Sequence, residues 1–147
     1  MQVEDRVVIN RPIEVVWEFF TDFFNTPRIP SSRTLGSRVT SSGLLGLGST
    51  FQTRVRALGF ENRLTGEIVE WDPPHSLAMT MAGRPIRSFR ARITMAEVPG
   101  GTELVRVQEI EPRRLLVPLM PVYAPIYRRQ SRAVIQNLKL MLESEAG

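Results

Sequence analysis

The sequence predicts a single α+β domain, spanning residues 1–147, in which a curved antiparallel sheet packs against a long C-terminal helix. A chain of 147 residues with 42% hydrophobic content is large enough to bury one core. From about residue 34 to 111, apolar and polar residues alternate in short segments separated by turns, as expected of antiparallel strands. On both sides of this region apolar residues recur every three or four positions, which is typical of helices.

The N-terminal segment predicts one strand followed by two short helices. Apolar and polar side chains alternate over residues 2–10, and we expect the buried side to consist of Val3, Asp5, Val7 and Ile9. After Pro12 the spacing changes to three and four residues, which predicts a helix that ends near Asp22. A second helix of one or two turns is expected over residues 23–27, because the prolines that follow stop it.

The central region predicts the rest of a sheet of about seven strands, counting the first strand. Gly59, the segment 82–85 and the Pro99-Gly100-Gly101 motif mark turns between consecutive strands. Within the segment 50–58 one side is apolar and the other is basic. An open sheet of this size forms a saddle, and its concave side must be covered by another element.

The C-terminal segment predicts the helix that covers this concave side. Pro118, Pro121 and Pro125 disfavour a regular helix before residue 121, because proline lacks a backbone N–H and clashes with the preceding turn. Pro125 either starts the straight part of the helix or kinks it. Beyond this point one helical stripe runs at steps of four, three, four and three residues through Tyr127, Ser131, Val134, Leu138 and Met141.

Three motifs, taken in order, carry a resemblance to a known family. They read NRPIEVVWEFFTDFFNTPRIP at 10–30, EWDPPHSLAM at 70–79 and PGGTELVRV at 99–107. Together with the helical tail they resemble the helix-grip fold of the START-like superfamily, in its polyketide cyclase/dehydrase branch. The resemblance covers nearly the whole chain and implies a cavity between the sheet and the C-terminal helix that admits an apolar molecule. It implies no particular ligand or reaction, since the superfamily includes carriers, sensors and cyclases.

Candidate ligand contacts follow from this resemblance on two facing surfaces, the concave side of the sheet and the first turns of the C-terminal helix. Apolar walls that carry a few hydroxyl, amide or charged groups suit an amphiphilic ligand. The alternative is an ordinary packed core, since alternation predicts burial and does not show a free volume. The candidates are Phe24, Phe51, Thr53, Val55, Met79, Phe89, Ala91, Arg106, Tyr123, Tyr127 and Gln130.

The last strand is compatible with two registers, which differ in the charged residue that they bury. In the first register Arg106 and Gln108 point inward, and in the second Glu109 does. A charge inside an apolar cavity is costly without a partner, so either residue there would favour catalysis over simple binding. A surface ion pair at the edge of the sheet is the simpler alternative.

Composition argues against several other functions. With no cysteine and with His75 as the single histidine, neither a thiolate nor a histidine-cluster metal site is expected, and no cofactor is expected. The net charge is +4, but arginines alternate with glutamates along the strands, which predicts a solvated surface and no nucleic-acid partner. No apolar run approaches the roughly 18 residues of a membrane span, and no signal sequence is evident, so the cytoplasm is the expected location.

These observations predict a protein that binds a small hydrophobic or amphiphilic molecule, such as a lipid, a polyketide or an isoprenoid. The first alternative is an enzyme of the polyketide cyclase, aromatase or dehydratase kind, in which polar residues direct proton transfers. The second alternative is an interaction module whose edge strands or basic face contact another protein. The sequence leaves the oligomeric state open, and a homodimer is compatible with it.

Overall fold

A computed structural model of the chain describes residues 1–22, 29, 34–57, 60–83 and 86–145. The second short helix expected at 23–27, and with it the candidate ligand contact Phe24, lies outside these described residues. The fold within them is α+β, as the sequence predicts.

Seven antiparallel strands form one sheet in the order β1-β7-β6-β5-β4-β3-β2, so the predicted number of strands is confirmed. Pairing of β1 with β7 brings the first and last strands side by side, and only β1 and β2 lie at the edges of this sheet. The strands are β1 (Gln2–Ile9), β2 (Thr34–Val39), β3 (Thr50–Ala57), β4 (Phe60–Asp72), β5 (Ser76–Gly83), β6 (Ile86–Val98) and β7 (Gly101–Pro112).

One α-helix follows the first strand, and the other follows the last strand. Helix α1 (Ile13–Thr21) follows β1, and helix α2 (Met120–Ser144) packs along β1. The prediction that regular helix begins near residue 121 is confirmed, because the preceding segment forms a 3-10 helix (Arg114–Leu119) that contains Pro118. In the described part of the chain, no helix is both long and apolar enough to cross a membrane.

The core has two parts of different character. The larger part lies between α1, the C-terminal half of α2 and strands β1, β5, β6 and β7. Its buried members are mostly aliphatic, and the rings of Trp17, Phe20 and Trp71 pack against them. The smaller part surrounds Phe89, Ala91 and Ile110, with methionines and Tyr127 packed against it. The second part therefore combines apolar contact area with the phenol of Tyr127.

Gly66 on β4 gives the concave face of the sheet room for an aromatic ring. A Cβ atom at this position would lie 2.6 Å from Cζ of Phe51 and 2.7 Å from Cγ of Met81. Both distances are shorter than real Cβ contacts, so a side chain here would displace the ring. Gly66 thus allows Phe51 to lie flat across β4 as a fully buried side chain.

Candidate functional site

Burial along β7 decides between the two registers. The side chains of Thr102, Leu104, Gln108 and Ile110 are buried, whereas Glu109 is exposed. Arg106 follows the buried alternation, and its side chain is only 14% exposed. The first register is therefore the observed one. Because β7 lies between β1 and β6, the alternative of a surface ion pair at the sheet edge is wrong.

Arg106 forms a buried ion pair with Asp5, its direct neighbour across the β1–β7 ladder. Its Nη2 atom lies 3.5 Å from Asp5 Oδ2 and donates hydrogen bonds to the hydroxyl and carbonyl oxygens of Ser131 at 2.7 and 3.2 Å. The Ser131 hydroxyl in turn donates to Asp5 Oδ2 at 2.5 Å. One serine of α2 thus bridges the carboxylate and the guanidinium, so the pair is held by both the sheet and the helix.

Gln108 extends this network toward the smaller part of the core. Its Oε1 atom accepts a hydrogen bond from the Tyr127 hydroxyl at 3.1 Å and lies 3.2 Å from Oγ of Ser131. Tyr127 precedes Ser131 by one helical turn, which places both side chains on the same face of α2. The ring of Tyr123 lies one turn before Tyr127 on α2, and the centroids of the two rings are 6.0 Å apart. Polar groups therefore run from Asp5 to the apolar cluster around Phe89.

Burial determines the protonation states in this network. Burial raises the pKa of Tyr127 from 10.0 to about 12, although the nearby charge of Arg106 acts to lower it. Burial also lowers the pKa of Arg106, while the interactions with Tyr127 and Asp5 oppose this shift. An arginine guanidinium nevertheless stays protonated in proteins. Near neutral pH the site therefore offers a neutral phenol and a cation, and the phenol is a donor and not a base.

One hydrogen-bond donor of the network has no acceptor among the described residues. Arg106 Nε is buried and has no hydrogen-bond partner among the residues that the structure describes. A buried donor without a partner costs about 1 to 3 kcal/mol, and more when the group is charged. Such a group is uncommon in folded proteins and calls for an acceptor. The site can therefore donate a hydrogen bond to an oxygen atom that is placed next to the guanidinium.

The structure brings together part of the set of candidates predicted from sequence. Phe89 and Ala91 form the smaller core cluster, and Met79 and Tyr127 pack against it. Arg106 is connected to Tyr127 through Ser131 and Gln108. We treat these five candidates, together with the polar network that links Arg106 to Tyr127, as the candidate site.

The other described candidates lie on β3 and α2. Phe51 and Thr53 are buried on β3, and Val55 is half-buried on the same strand. The Thr53 hydroxyl lies 2.6 Å from Oγ of Ser37 and donates to the carbonyl oxygen of Gly36 at 3.3 Å, so β2 already satisfies it. Tyr123 and Gln130 are half-buried on α2.

Sequence reasoning missed two members of the network, Asp5 and Ser131, as site residues. Asp5 stands in the middle of an alternating apolar face, and Ser131 stands in the middle of the apolar stripe of α2. A polar residue at a position that periodicity assigns to the core needs a partner, because burial without one is costly. Asp5, Ser131 and Arg106 are polar residues at core positions of three different segments. Comparing these three segments would have indicated that the residues form a network.

A saddle-shaped antiparallel sheet with a long C-terminal helix on its concave side defines the helix-grip class of proteins. The chain matches the family described as polyketide cyclase / dehydrase and lipid transport over residues 1–143. The protein therefore belongs to this family.

Solved structures share the fold across the whole chain at low sequence identity. The ZhuI aromatase/cyclase of a Streptomyces species superposes with a TM-score of 0.82 at 16% identity, covering 100% of this chain and 96% of that one. A protein from Thermus thermophilus gives a TM-score of 0.81 at 15% identity, with 100% of both chains covered. A START superfamily protein from Mycobacterium smegmatis gives 0.73 at 16% identity, covering 98% and 95%.

Two curated proteins of Mycobacterium tuberculosis, both called uncharacterized, are 36% identical to this chain over 75 residues. The matched region covers 51% of this chain and 52% of either relative, so the chain spans about half the length of the curated relatives it matches. These relatives carry no assigned function.

Proposed function

We propose that this protein binds one small amphiphilic molecule, whose apolar body lies between the concave sheet and α2 and whose oxygen acceptor contacts Arg106. The observation that carries the proposal is the buried Nε atom of Arg106, a charged donor that has no partner among the described residues and belongs to a polar network that reaches an apolar cluster. The description of the family, which names polyketides and lipids, supports a ligand of this class. The cytoplasm remains the location that we expect.

The charges around Arg106 narrow the chemistry of the acceptor. Asp5 already neutralises the guanidinium, and the Tyr127 phenol is uncharged. A second carboxylate would add an excess negative charge in a site of low polarity, which is unfavourable. A carbonyl or hydroxyl oxygen satisfies Nε without this cost. We therefore expect a neutral ketone, ester or alcohol at the polar end of the ligand, with Met79, Phe89 and Ala91 along its apolar part.

The first experiment is to purify the protein natively, extract it with organic solvent and analyse the extract by mass spectrometry. We expect a stoichiometric hydrophobic compound that carries a neutral oxygen group. An empty extract, together with no thermal shift from a panel of lipids and polyketides, would overturn the proposal.

Variants then locate the ligand. The double variant Asp5→Leu with Arg106→Met removes the ion pair without leaving a buried charge, and the matched control Arg90→Met removes an exposed arginine of β6. We expect the first protein to lose at least tenfold in affinity for the extracted compound at unchanged fold, since a hydrogen bond to a charged donor contributes about 1.5 to 3 kcal/mol. Equal affinity in both variants would exclude Arg106 as a contact.

Cyclase or aromatase activity is the second candidate function, and the buried charge of Arg106 favours it. A guanidinium in a site of low dielectric can polarise a ketone and stabilise the enolate that forms from it. One structural neighbour is an aromatase/cyclase. The test is incubation with a poly-β-ketone thioester and chromatographic analysis of the cyclised products. A regiospecific product in many-fold excess over protein would support catalysis, whereas the uncatalysed product mixture would leave binding as the function.

A further inference from the structure

Positive charge is concentrated in one part of the chain. Residues 112–142 contain six basic residues and no acidic residue, whereas the whole chain has a net charge of +4, so the remainder carries −2. Lys139 is occupied, because it donates to the carbonyl oxygen of Val8 and pairs with Glu143. The other five basic residues lie within residues 113–132, and each is exposed, namely Arg113, Arg114, Arg128, Arg129 and Arg132.

The same segment exposes large aliphatic side chains. Leu115 is 89% exposed, and more than half of the surface of each of four other residues is accessible. Val122 and Ile126 are one turn apart on α2, and Arg129 continues the same stripe, so two aliphatic side chains are followed by a cationic one on one side of the helix. The exposed aliphatic residues are Leu115, Val117, Leu119, Val122 and Ile126.

We propose that residues 113–132, which we name the basic apolar segment, form a docking surface for a membrane that contains anionic lipids. Each of its five arginines lacks an ion-pair partner among the described residues, so each is available to a lipid phosphate. The aliphatic side chains can enter the boundary between headgroups and acyl chains, as those of interfacial helices do. In this proposal the segment lies at the surface of the bilayer and does not cross it.

The combination of side chains favours a membrane over other anionic partners. A nucleic acid would be bound by arginines with polar or aromatic neighbours, and five exposed aliphatic residues would add nothing to phosphate contacts. An anionic bilayer uses both properties, since its headgroups attract arginine and its acyl chains accept leucine, valine and isoleucine. The surface does not depend on the ligand proposed above, because its five arginines and five aliphatic residues are exposed. Tyr127 and Ser131 lie in the same stretch of chain but face the interior and belong to the candidate site.

Co-sedimentation with vesicles tests the proposal on the full chain. One set of vesicles contains phosphatidylglycerol and phosphatidylcholine in equal amounts, and the other contains phosphatidylcholine alone. We expect binding to the first set that weakens as salt is added, and at least tenfold weaker binding to the second, because the arginines contribute only against anionic headgroups.

Two double variants separate the contributions of charge and apolar surface. Arg128→Gln with Arg129→Gln is expected to weaken binding about 25-fold, since each arginine near an anionic surface contributes a factor of about five. Leu115→Ser with Val122→Ser is expected to weaken it about tenfold through lost apolar contact. The matched controls are Arg90→Gln on the sheet and Leu44→Ser in the β2–β3 loop, both exposed and outside the segment, and they should bind as the unmodified protein does.

Several outcomes would overturn the proposal. Equal binding to both vesicle types, or unchanged binding of both segment variants, would exclude this surface. Tight binding of an oligonucleotide that only the arginine variant loses, without vesicle binding, would assign the surface to a nucleic acid. Self-association that the leucine variant abolishes, again without vesicle binding, would assign it to a second copy of the chain. Melting temperatures of all variants verify that each protein is folded.

Discussion

The two halves of α2 have the same backbone conformation and opposite surroundings. Its most deeply buried residues all lie from Ser131 onward, namely Ser131, Val134, Ile135, Leu138 and Leu142. The N-terminal half, residues 120–130, contains two prolines and exposes Val122 and Ile126 to solvent. The sheet therefore holds the helix by its C-terminal half, and the N-terminal half projects past the aliphatic core.

Hydrogen bonds to the end of β1 and to the loop after it reinforce this difference between the two halves of α2. Arg11 Nη1 donates to the carbonyl oxygen of Leu142 at 2.6 Å, and Lys139 Nζ donates to that of Val8 at 2.8 Å. In the N-terminal half, the Tyr127 hydroxyl donates to Gln108. One half of a helix can thus be fixed for stability while the other half keeps side chains available for binding. Ser131, which contacts Asp5 and Arg106, marks the boundary.

The largest effect is expected at this boundary. Asp5→Asn removes the carboxylate and leaves the guanidinium of Arg106 buried without a counter-charge, which should reduce the free energy of unfolding by about 3 to 5 kcal/mol. Urea denaturation measures this change. The double variant Asp5→Leu with Arg106→Met should recover most of the loss, since apolar residues need no partner. A stable Asp5→Asn protein would mean that Arg106 reaches solvent and that the boundary is not a constraint.

Within the C-terminal half, two leucines that are two positions apart, and therefore on different sides of the helix, should behave in opposite ways. Leu138 is 0% exposed and Leu140 is 63% exposed. Leu138→Ala should destabilise the protein by about 2 to 5 kcal/mol, through lost apolar burial and the cavity that remains. Leu140→Ala should change stability by less than about 0.5 kcal/mol. Thermal or chemical denaturation compares the two variants, and similar losses would show that this half is not held by a single face.

Alkaline pH probes the half-buried Tyr127 phenol in the N-terminal half of α2. The folded protein keeps the proton of Tyr127 up to a pKa of about 12, above the ordinary 10.0, so it binds more protons than the unfolded chain between these values. Stability from this group is fully present below pH 10 and is lost as pH rises toward 12, by about 2 kcal/mol.

Unfolding measured from pH 9 to 12 on the unmodified protein and on Tyr127→Phe isolates this contribution. The difference between the two proteins should shrink as pH rises, because only the first carries the titrating phenol. Ultraviolet absorption of a Tyr123→Phe variant follows the ionisation of Tyr127 directly, since the chain has two tyrosines. Ionisation of that variant at an ordinary pKa would place the Tyr127 phenol in water and remove it from the site.

The smallest effect is expected at the exposed face of the N-terminal half. The double variant Val122→Ser with Ile126→Ser should change the free energy of unfolding by less than about 0.5 kcal/mol per residue, because neither side chain is buried. Calorimetry in the absence of lipid measures this. A loss of several kcal/mol would mean that these side chains support the fold, and the contrast between the two halves would then be withdrawn.

Much of the fold could be predicted because periodicity depends on neighbours along the chain. Alternation was enough to predict β1 and the seven-stranded sheet, and steps of three and four residues were enough to predict α2. The irregular approach to α2 followed from Pro118 and Pro121, whose backbone restrictions are local. The two core stripes also included Asp5 and Ser131, although their role was not evident.

The candidate site depended on tertiary structure, because its members are distant in sequence. The pair of Asp5 with Arg106 joins residues 101 positions apart, and Ser131 with Asp5 joins residues 126 positions apart. Local pattern left both registers of β7 open, since Leu104 favours one face and Val105 the other. Pairing of β7 with β1 selected the register in which Arg106 meets a carboxylate. The local pattern of the chain thus determined the elements, whereas packing of the sheet against α2 decided which polar groups are buried together, because a buried charge is tolerated only where the fold supplies its partner.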